Sequence, residues 1–234
     1  MHFTTKIFAD GAELSGMLEM YANPLISGFT TNPTLMRKAG ISDYPAFARE
    51  VLAAITDRPI SFEVFSDDLL EMEKQANIIA SWGDNVFVKI PITNTKKQSS
   101  APLIARLSAA GVKVNVTALM TNDQTREVLP ALIEGPASNV SIFAGRVADT
   151  GVDPLPLMIE AVELLKPYPH IELIWASPRE VFNLRQADNI GCQIITMTND
   201  LIKKIAIFGK DLDQYSLETV EMFDRDARAA GFSI

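Results

Sequence analysis

The chain has 234 residues, of which 47% are hydrophobic and 21% charged, and this is enough for one large domain with a core. Its formal net charge of -8 argues against nucleic acid as a partner, and the lack of a membrane-length apolar run or a signal-peptide pattern predicts a cytoplasmic protein that binds no membrane. One cysteine and two histidines exclude an intramolecular disulfide and a multi-cysteine zinc site, and they leave little for a histidine-based metal centre.

Short apolar runs rich in β-branched residues alternate with amphipathic stretches along the chain. The predicted strands are residues 7–9, 28–30, 60–65, 86–91, 113–117, 140–144, 171–176 and 193–197. The predicted helices are 44–55, 69–81, 102–109, 123–133, 154–166 and 177–187, followed by 200–208 and 216–230. No glycine-rich nucleotide-binding motif supports an open sheet. The alternation predicts an α/β fold, a single-domain (β/α)8 TIM barrel over residues 1–234 with a C-terminal helical extension from about 200 to 234.

The fourth predicted strand contains a lysine, Lys89, among branched apolar side chains. Burial disfavours the charged ammonium, so we expect a fraction of neutral amine, which is a nucleophile towards carbonyl carbons. The alternative is a structural lysine that forms an ion pair or extends to water. The residues at the other strand ends bear on this choice.

In a TIM barrel the chemistry lies at the C-terminal ends of the strands. Strand alternation places Lys89 on the inner face and allows Glu63 to point inward as well. Each polar residue also has a structural explanation, since Asp10 could cap a helix, Asn32 could form a turn and Thr117 is a common strand residue. The eighth strand offers nothing charged. The candidates at the strand ends are Asp10, Thr31, Asn32, Glu63, Lys89, Asn115, Thr117, Ser141 and Phe143.

Two arginines, Arg146 and Arg179, follow the sixth and seventh predicted strands, close to where many TIM barrels hold a phosphate. A guanidinium donates two parallel hydrogen bonds to phosphate oxygens, and Ser177 adds a hydroxyl. The alternative is that both arginines pair with surface carboxylates. If the ligand carries a phosphate, these three side chains are its candidate binders.

Three segments resemble motifs of the transaldolase family, which includes small members and the related fructose-6-phosphate aldolases. They are residues 30–34 (TTNPT), 86–93 (VFVKIPIT) and 143–146 (FAGR), within a resemblance that runs from residue 7 to about 200. The resemblance implies that Lys89 forms a Schiff base with a ketose phosphate. It also implies that Asp10 is the acid/base that cleaves the carbon–carbon bond, and that Glu63 acts through a water molecule.

The resemblance implies binding roles for the remaining candidates and requires no metal or other cofactor. Asn32 and Thr117 are expected to position the substrate and the water, and the substrate-binding set also takes in Thr31 and Phe143. The dihydroxyacetone part is expected at Asn115 and Ser141, and the phosphate at Arg146, Ser177 and Arg179. A homo-oligomer is also implied, in which residues 216–230 could be an arm exchanged between subunits. The alternative for this helix is an ordinary outer helix packed on its own barrel.

Two positions bear on the fate of the three-carbon unit. Glu63 and Phe143 match the transaldolases, whereas the fructose-6-phosphate aldolases have glutamine and tyrosine there. A tyrosine hydroxyl could orient a water or a proton for release, and phenylalanine cannot. The sequence therefore predicts transfer of dihydroxyacetone from a ketose phosphate to an aldose phosphate. The competing hypotheses are release of free dihydroxyacetone, another Schiff-base aldolase, and a catalytically inactive barrel that binds a sugar phosphate.

Overall fold

A computed structural model describes residues 2–232, and in it eight parallel strands form a closed barrel in chain order. The strands are β1 (Lys6–Asp10), β2 (Ile26–Thr30), β3 (Ile60–Glu63), β4 (Val86–Pro91), β5 (Val114–Leu119), β6 (Ser138–Ile142), β7 (Ile171–Trp175) and β8 (Ile194–Thr198). Pairing of β1 with β8 closes the barrel. The predicted (β/α)8 TIM-barrel class is confirmed.

Helices connect the strands, and several begin at an aspartate that caps the first turn. They are α1 (Leu14–Tyr21), α2 (Pro33–Lys38), α3 (Tyr44–Ala54), α4 (Leu69–Ala80), α5 (Ala101–Ala109), α6 (Asn122–Val128), α7 (Ala144–Asp149), α8 (Pro154–Leu165), α9 (Phe182–Asn189), α10 (Asn199–Lys203) and α11 (Leu212–Ala230). The side chains of Asp43, Asp68, Asp153 and Asp211 accept backbone N–H groups at the starts of α3, α4, α8 and α11. These bonds satisfy donors that a helix start leaves unpaired.

The helix bounds differ from the prediction in three ways. The predicted start of α9 at residue 177 is wrong, because Ser177 has a left-handed φ of 59° and the helix begins at Phe182. The predicted helix 123–133 ends in a 3-10 turn, Leu129–Ala131, which contains a proline. The sequence pattern predicts none of α1, α2 and α7, since each has eight residues or fewer and a run this short carries too few repeats to define a helical period.

Strand alternation holds along β4 as predicted. Val88 and Ile90 are fully buried on the side of the helix layer, whereas Phe87 and Lys89 line cavities at opposite ends of the barrel interior. The register pairs Lys89 with Glu63 on β3 and with Asn115 on β5. Three predicted site residues are therefore neighbours on adjacent strands.

The chain divides into two compact units, at residues 1–202 and 203–234. The second unit contains α11, which ends at a left-handed Gly231 and exposes Leu217, Val220 and Phe223. The predicted single domain and the predicted homo-oligomer through this helix stay predictions. Among the residues that the structure describes, no helix is long and apolar enough to cross a membrane.

Candidate active site

A cavity of about 420 Å³ opens at the C-terminal ends of the strands. Nine of the predicted site residues line it: Asp10, Asn32, Glu63, Lys89, Thr117, Ser141, Phe143, Arg146 and Ser177. The side chains of Thr31, Asn115 and Arg179 are not part of this lining. Within residues 2–232 no group of three or more His, Cys, Asp or Glu side chains could hold a metal ion.

Lys89 lies at the floor of this cavity and is only 5% exposed. Its Nζ donates to the main-chain carbonyl oxygen of Thr31 at 2.9 Å. The same nitrogen lies 3.2 Å from Glu63 Oε2, because the β3–β4 register brings the two residues side by side. The amine is thus held by two oxygen acceptors and faces a space large enough for a small sugar phosphate.

The end of β3 is held by a tyrosine from α3. The Tyr44 hydroxyl donates to the carbonyl oxygen of Glu63 at 3.0 Å, and its ring packs edge-on against Phe62 and Trp82. Burial raises the pKa of Tyr44 well above its ordinary value, so the hydroxyl stays protonated as a donor. The aromatic cluster therefore fixes the main chain from which the Glu63 carboxylate projects.

Asp10 is the last residue of β1 and shares the cavity with Lys89. Its Oδ1 accepts a hydrogen bond from Thr30 Oγ1 at 2.7 Å. Burial raises the pKa of Asp10, and Glu63 acts in the same direction, while Lys89 and the Thr30 hydroxyl lower it; the net direction is upward. A carboxyl group with a raised pKa can both take and return a proton closer to neutral pH.

Asn115 lies beneath the cavity as the centre of a buried polar network. Its Nδ2 donates to Ser61 Oγ at 3.0 Å, and its Oδ1 accepts from Ser141 Oγ at 2.7 Å. The Thr31 hydroxyl is also turned away from the cavity, since it donates to the Ser61 carbonyl oxygen at 3.0 Å. Asn115 thus influences the cavity through its hydrogen bond with Ser141. Thr31 does so through its main-chain carbonyl oxygen, which accepts from Lys89.

Thr117 is buried, and within the described residues its Oγ1 has no hydrogen-bond partner. The next residue, Ala118, has a left-handed φ of 65°, and the β5–β6 register shifts between Val116 and Leu119. Such a conformation is costly for a residue other than glycine and is concentrated at functional sites. The irregular end of β5 therefore leaves an unpaired hydroxyl at the cavity wall.

Asn32 both caps a helix and lines the cavity. Its Oδ1 accepts from the Leu35 backbone N–H at 2.9 Å at the start of α2, with Pro33 in the first helical position. The structural explanation and the predicted functional one are therefore compatible, because the oxygen serves the cap and the amide nitrogen remains for a ligand.

The two predicted phosphate-binding arginines are in different environments. Arg146 lines the cavity, with its guanidinium 5.6 Å from the centre of the Phe143 ring. Arg179 Nε lies 2.8 Å from Asp149 Oδ1, and its Nη1 donates to Ser177 Oγ at 2.9 Å. The alternative of an arginine paired with a carboxylate therefore applies to Arg179. Its guanidinium contacts the cavity lining through its hydrogen bond to Ser177.

Glycine is required where the loops after β6 and β7 meet. A Cβ atom at Gly145 would lie 1.6 Å from the carbonyl oxygen of Ser177. No side chain fits at this distance, so the main chains of the two loops touch. The contact explains the glycine of the FAGR motif and sets the spacing of Arg146 and Ser177.

Residues near the site that are not among those predicted from the sequence include Thr30, Ser61, Tyr44 and Thr196. Ser61 shares the inner face of β3 with Glu63, so strand alternation could have found it. Thr196 lines the cavity and lies 2.5 Å from Thr30, oxygen to oxygen, but a hydroxyl on a strand without charges gives no signal in the sequence. Tyr44 lies on a helix, and its contact with β3 cannot be read from local pattern.

Known proteins resemble the chain in sequence and in fold. A protein of Dehalococcoides mccartyi named probable transaldolase is 36% identical over 193 residues, which cover 82% of this chain and 86% of that protein. One of Thermoanaerobacter sp., with the same name, is 33% identical over 232 residues, or 98% and 100% of the two chains.

The crystal structure of KGPDC from Streptococcus mutans superposes with a TM-score of 0.60 at 12% identity, covering 84% of this chain and 89% of that chain. At this identity the likeness shows the fold alone. Residues 7–234 match the family described as Transaldolase/Fructose-6-phosphate aldolase, and together with the relatives this shows that the chain belongs to that family.

Proposed function

We propose that the protein is a transaldolase that carries dihydroxyacetone on Lys89 from a ketose phosphate to an aldose phosphate. The observation that supports this most is the position of the Lys89 amine. It is almost fully buried, lies beside the Glu63 carboxylate at 3.2 Å and shares its cavity with the Asp10 carboxylate. A Schiff-base reaction needs these three groups together, a nucleophilic amine and two groups that move protons.

The contacts of Lys89 leave its amine in a position to attack a carbonyl carbon in the cavity. A neutral amine has two hydrogens and one lone pair, and the Thr31 carbonyl and Glu63 supply two acceptors for the hydrogens. The lone pair is then free to attack C2 of a ketose phosphate in the cavity, and the C–N bond forms. The C2 oxygen takes one proton from the lysine nitrogen and a second from solvent through Glu63, and it leaves as water. A protonated imine remains on Lys89.

Asp10 then acts as the base for carbon–carbon cleavage. Its carboxylate removes the proton of the C4 hydroxyl, the C4–O bond becomes a carbonyl, and the C3–C4 bond breaks. The electron pair of that bond moves towards the imine nitrogen, so an enamine stays on Lys89 and an aldose phosphate leaves. In the reverse sense, enamine C3 adds to the aldehyde carbon of a second aldose phosphate, and Asp10 returns the proton.

Phe143 supports transfer over release of the three-carbon unit. Its ring lines the cavity and carries no hydroxyl that could direct a water or a proton to the enamine. An enamine that is not protonated persists until an acceptor aldehyde arrives. Free dihydroxyacetone, the product of a fructose-6-phosphate aldolase, should therefore be the minor product.

Arg146 and Ser177 are the proposed phosphate contacts. Both line the cavity, and Arg146 is exposed at its rim, where phosphate could enter with part of its water. Arg179 orients the Ser177 hydroxyl through a 2.9 Å hydrogen bond and is itself held by Asp149. A phosphate therefore meets the guanidinium of Arg146 and one oriented hydroxyl.

One assay tests the proposal by measuring transfer and release together. Purified protein is supplied with fructose 6-phosphate, with and without erythrose 4-phosphate, and both sedoheptulose 7-phosphate and free dihydroxyacetone are quantified. We expect transfer to exceed release by at least about tenfold, a difference of about 1.4 kcal/mol between the two barriers. Equal rates would assign the chain to the aldolases.

Borohydride reduction in the presence of fructose 6-phosphate tests whether the protein forms a Schiff base with this sugar. We expect a covalent adduct at Lys89, and its absence would point to a barrel that only binds a sugar phosphate. An adduct with a keto acid or a deoxysugar phosphate, but none with fructose 6-phosphate, would indicate another Schiff-base aldolase.

A further inference from the structure

Thr196 on β8 begins a line of side chains that ends at Asp10. β8 and β2 lie on either side of β1, and their threonines meet with 2.5 Å between Thr196 Oγ1 and Thr30 Oγ1. Thr30 Oγ1 in turn lies 2.7 Å from Asp10 Oδ1. Both threonine side chains are buried. Two hydroxyls in series therefore connect the eighth strand to the carboxyl group at the end of the first.

The chemistry of the groups sets the direction of this hydrogen-bond chain. An ionised carboxylate only accepts hydrogen bonds, so Thr30 must donate its single hydroxyl hydrogen to Asp10. The oxygen of Thr30 is then the acceptor for the hydroxyl of Thr196. Both O–H dipoles point towards Asp10, and aligned hydrogen bonds strengthen one another in a buried site.

The charges around Asp10 explain why such a chain matters. Burial and the nearby Glu63 both raise the pKa of Asp10, whereas Lys89 and the Thr30 hydrogen bond lower it. Three more charged residues, Glu13, Lys38 and Asp200, line a neighbouring cavity that also reaches Asp10. The ionised form that a base requires is therefore favoured by few partners, and the hydroxyl chain supplies one of them.

We propose that Thr196 is a positioning residue that acts through Thr30 to orient the Asp10 carboxylate and favour its ionised form. This rests on the proposed function, in which Asp10 is the base for carbon–carbon cleavage. Without Thr196, Thr30 loses its donor, its hydroxyl can rotate away, and the carboxylate loses orientation and stabilisation. Because Thr196 also lines the cavity, a direct contact with substrate is the competing explanation.

The test compares Thr196→Val, which removes the hydroxyl, with Thr196→Ser, which keeps it. Transfer kinetics are measured across pH for each variant. For Thr196→Val we expect kcat to fall about 3- to 10-fold with KM changed less than about twofold, since only proton transfer is affected. The acidic limb of the kcat profile should move to higher pH, because the Asp10 carboxylate has lost support. Thr196→Ser should restore both the wild-type kcat and the wild-type position of the acidic limb.

Thr5→Val is the matched control. It also removes one buried threonine hydroxyl, which donates to the Cys192 carbonyl oxygen at 2.7 Å, but at the opposite end of the barrel. Its pH profile should match that of the wild type. If Thr196→Val does not fold, Thr196→Ala removes the same hydroxyl without adding a methyl group and is measured in its place.

Three results would overturn the proposal. The first is a pH profile that does not shift in the variants without a hydroxyl. The second is a raised KM at constant kcat. The third is a loss of kcat in Thr196→Ser as large as that in Thr196→Val. A raised KM would indicate substrate contact, and equal loss in Thr196→Ser would indicate methyl packing. Failure of the proposed function is distinguishable in the wild-type protein, which would then give no borohydride adduct or would release dihydroxyacetone as fast as it transfers it. Thr196→Val, by contrast, should still form the adduct at Lys89.

Discussion

Each end of the barrel has a lysine–glutamate pair, and the two pairs differ in their surroundings. At the N-terminal ends of the strands, Lys6 Nζ lies 2.7 Å from Glu172 Oε1, with side-chain exposures of 49% and 28%. At the C-terminal ends, Lys89 Nζ lies 3.2 Å from Glu63 Oε2, with exposures of 7% and 15%. The same chemical groups therefore meet in water at one end and largely away from it at the other.

A lysine–glutamate pair that lines a cavity is therefore not sufficient to indicate an active site. The lower cavity, of about 220 Å³, contains Lys6 and Glu172 beside apolar rings, and an exposed pair of this kind contributes little. The upper pair is largely removed from water, and a second carboxylate, that of Asp10, lines the same cavity. Burial and a second carboxylate, and not the ion pair, distinguish the end of the barrel that we propose as the active site.

Replacement of the two lysines by arginine should give the largest contrast. Lys89→Arg keeps a cation beside Glu63 but cannot form an imine, so the borohydride adduct with fructose 6-phosphate should disappear completely. Lys6→Arg should give the wild-type adduct. Mass spectrometry of the reduced protein measures both. An adduct elsewhere in the Lys89→Arg chain would remove Lys89 from the mechanism.

Asp10→Asn should separate imine formation from carbon–carbon cleavage. Asparagine still accepts from Thr30 but cannot take a proton, so transfer should slow by about 100- to 10,000-fold while the Lys89 adduct remains. Glu172→Gln, at the other end, should leave the rate unchanged. Single-turnover kinetics provide the measurement, and normal turnover in Asp10→Asn would identify another base.

A hydroxyl added to the upper cavity should change the ratio of products, whereas a hydroxyl added to the lower cavity should not. Phe143→Tyr places a hydroxyl in the upper cavity and should raise the ratio of free dihydroxyacetone to transferred product about tenfold, equivalent to about 1.4 kcal/mol. Phe87→Tyr adds the same group to the lower cavity and should not alter the ratio. Product analysis with limiting erythrose 4-phosphate decides, and a constant ratio in both variants would contradict the role of Phe143.

Asp10 should also have a measurable cost in stability. Its folded pKa is raised, mainly by burial, so the native state binds this proton more tightly than the unfolded chain does. The carboxylate therefore destabilises the fold above the folded pKa, and the effect fades as pH falls through that value. Asp10→Asn should raise Tm at neutral pH by a few degrees, and the gain should shrink in acid. An equal or lower Tm at neutral pH would argue against a buried, unfavourable charge.

The smallest effect belongs to the exposed pair. Lys6→Met should change the free energy of unfolding by less than about 1 kcal/mol, because water already solvates both partners. Urea denaturation measures the change through the midpoint at constant slope. A larger loss would mean that the lower pair is structural.

The strands, the barrel and the central pair could be predicted from sequence because they follow from short-range periodicity. A parallel strand covered on both faces is an apolar run, so Lys89 stands out within Val86–Pro91. Alternation then assigns Lys89 and Glu63 to one face without knowledge of the fold. The barrel class adds that this face opens at the C-terminal ends.

The rest depends on closure of the barrel and on loop geometry, which local pattern does not encode. Thr196 meets Thr30 only because β8 returns to β1, and they are separated by more than half the chain. Arg179 looks equivalent to Arg146 in sequence, yet Asp149 holds it away from the cavity lining. The left-handed Ser177 shortens the predicted helix by a turn, because residues near a strand end respond to tertiary contact more than to propensity.

The touching main chains of Gly145 and Ser177 limit how protein engineering could broaden the range of ligands that the cavity accommodates. A contact between two backbones cannot be relieved by trimming a side chain, and any larger residue at position 145 would force the loops apart. Space for a bulkier ligand must come from side chains that line the cavity, such as Phe143 and Met120. A library built for new products should therefore vary those two positions and leave the glycine alone.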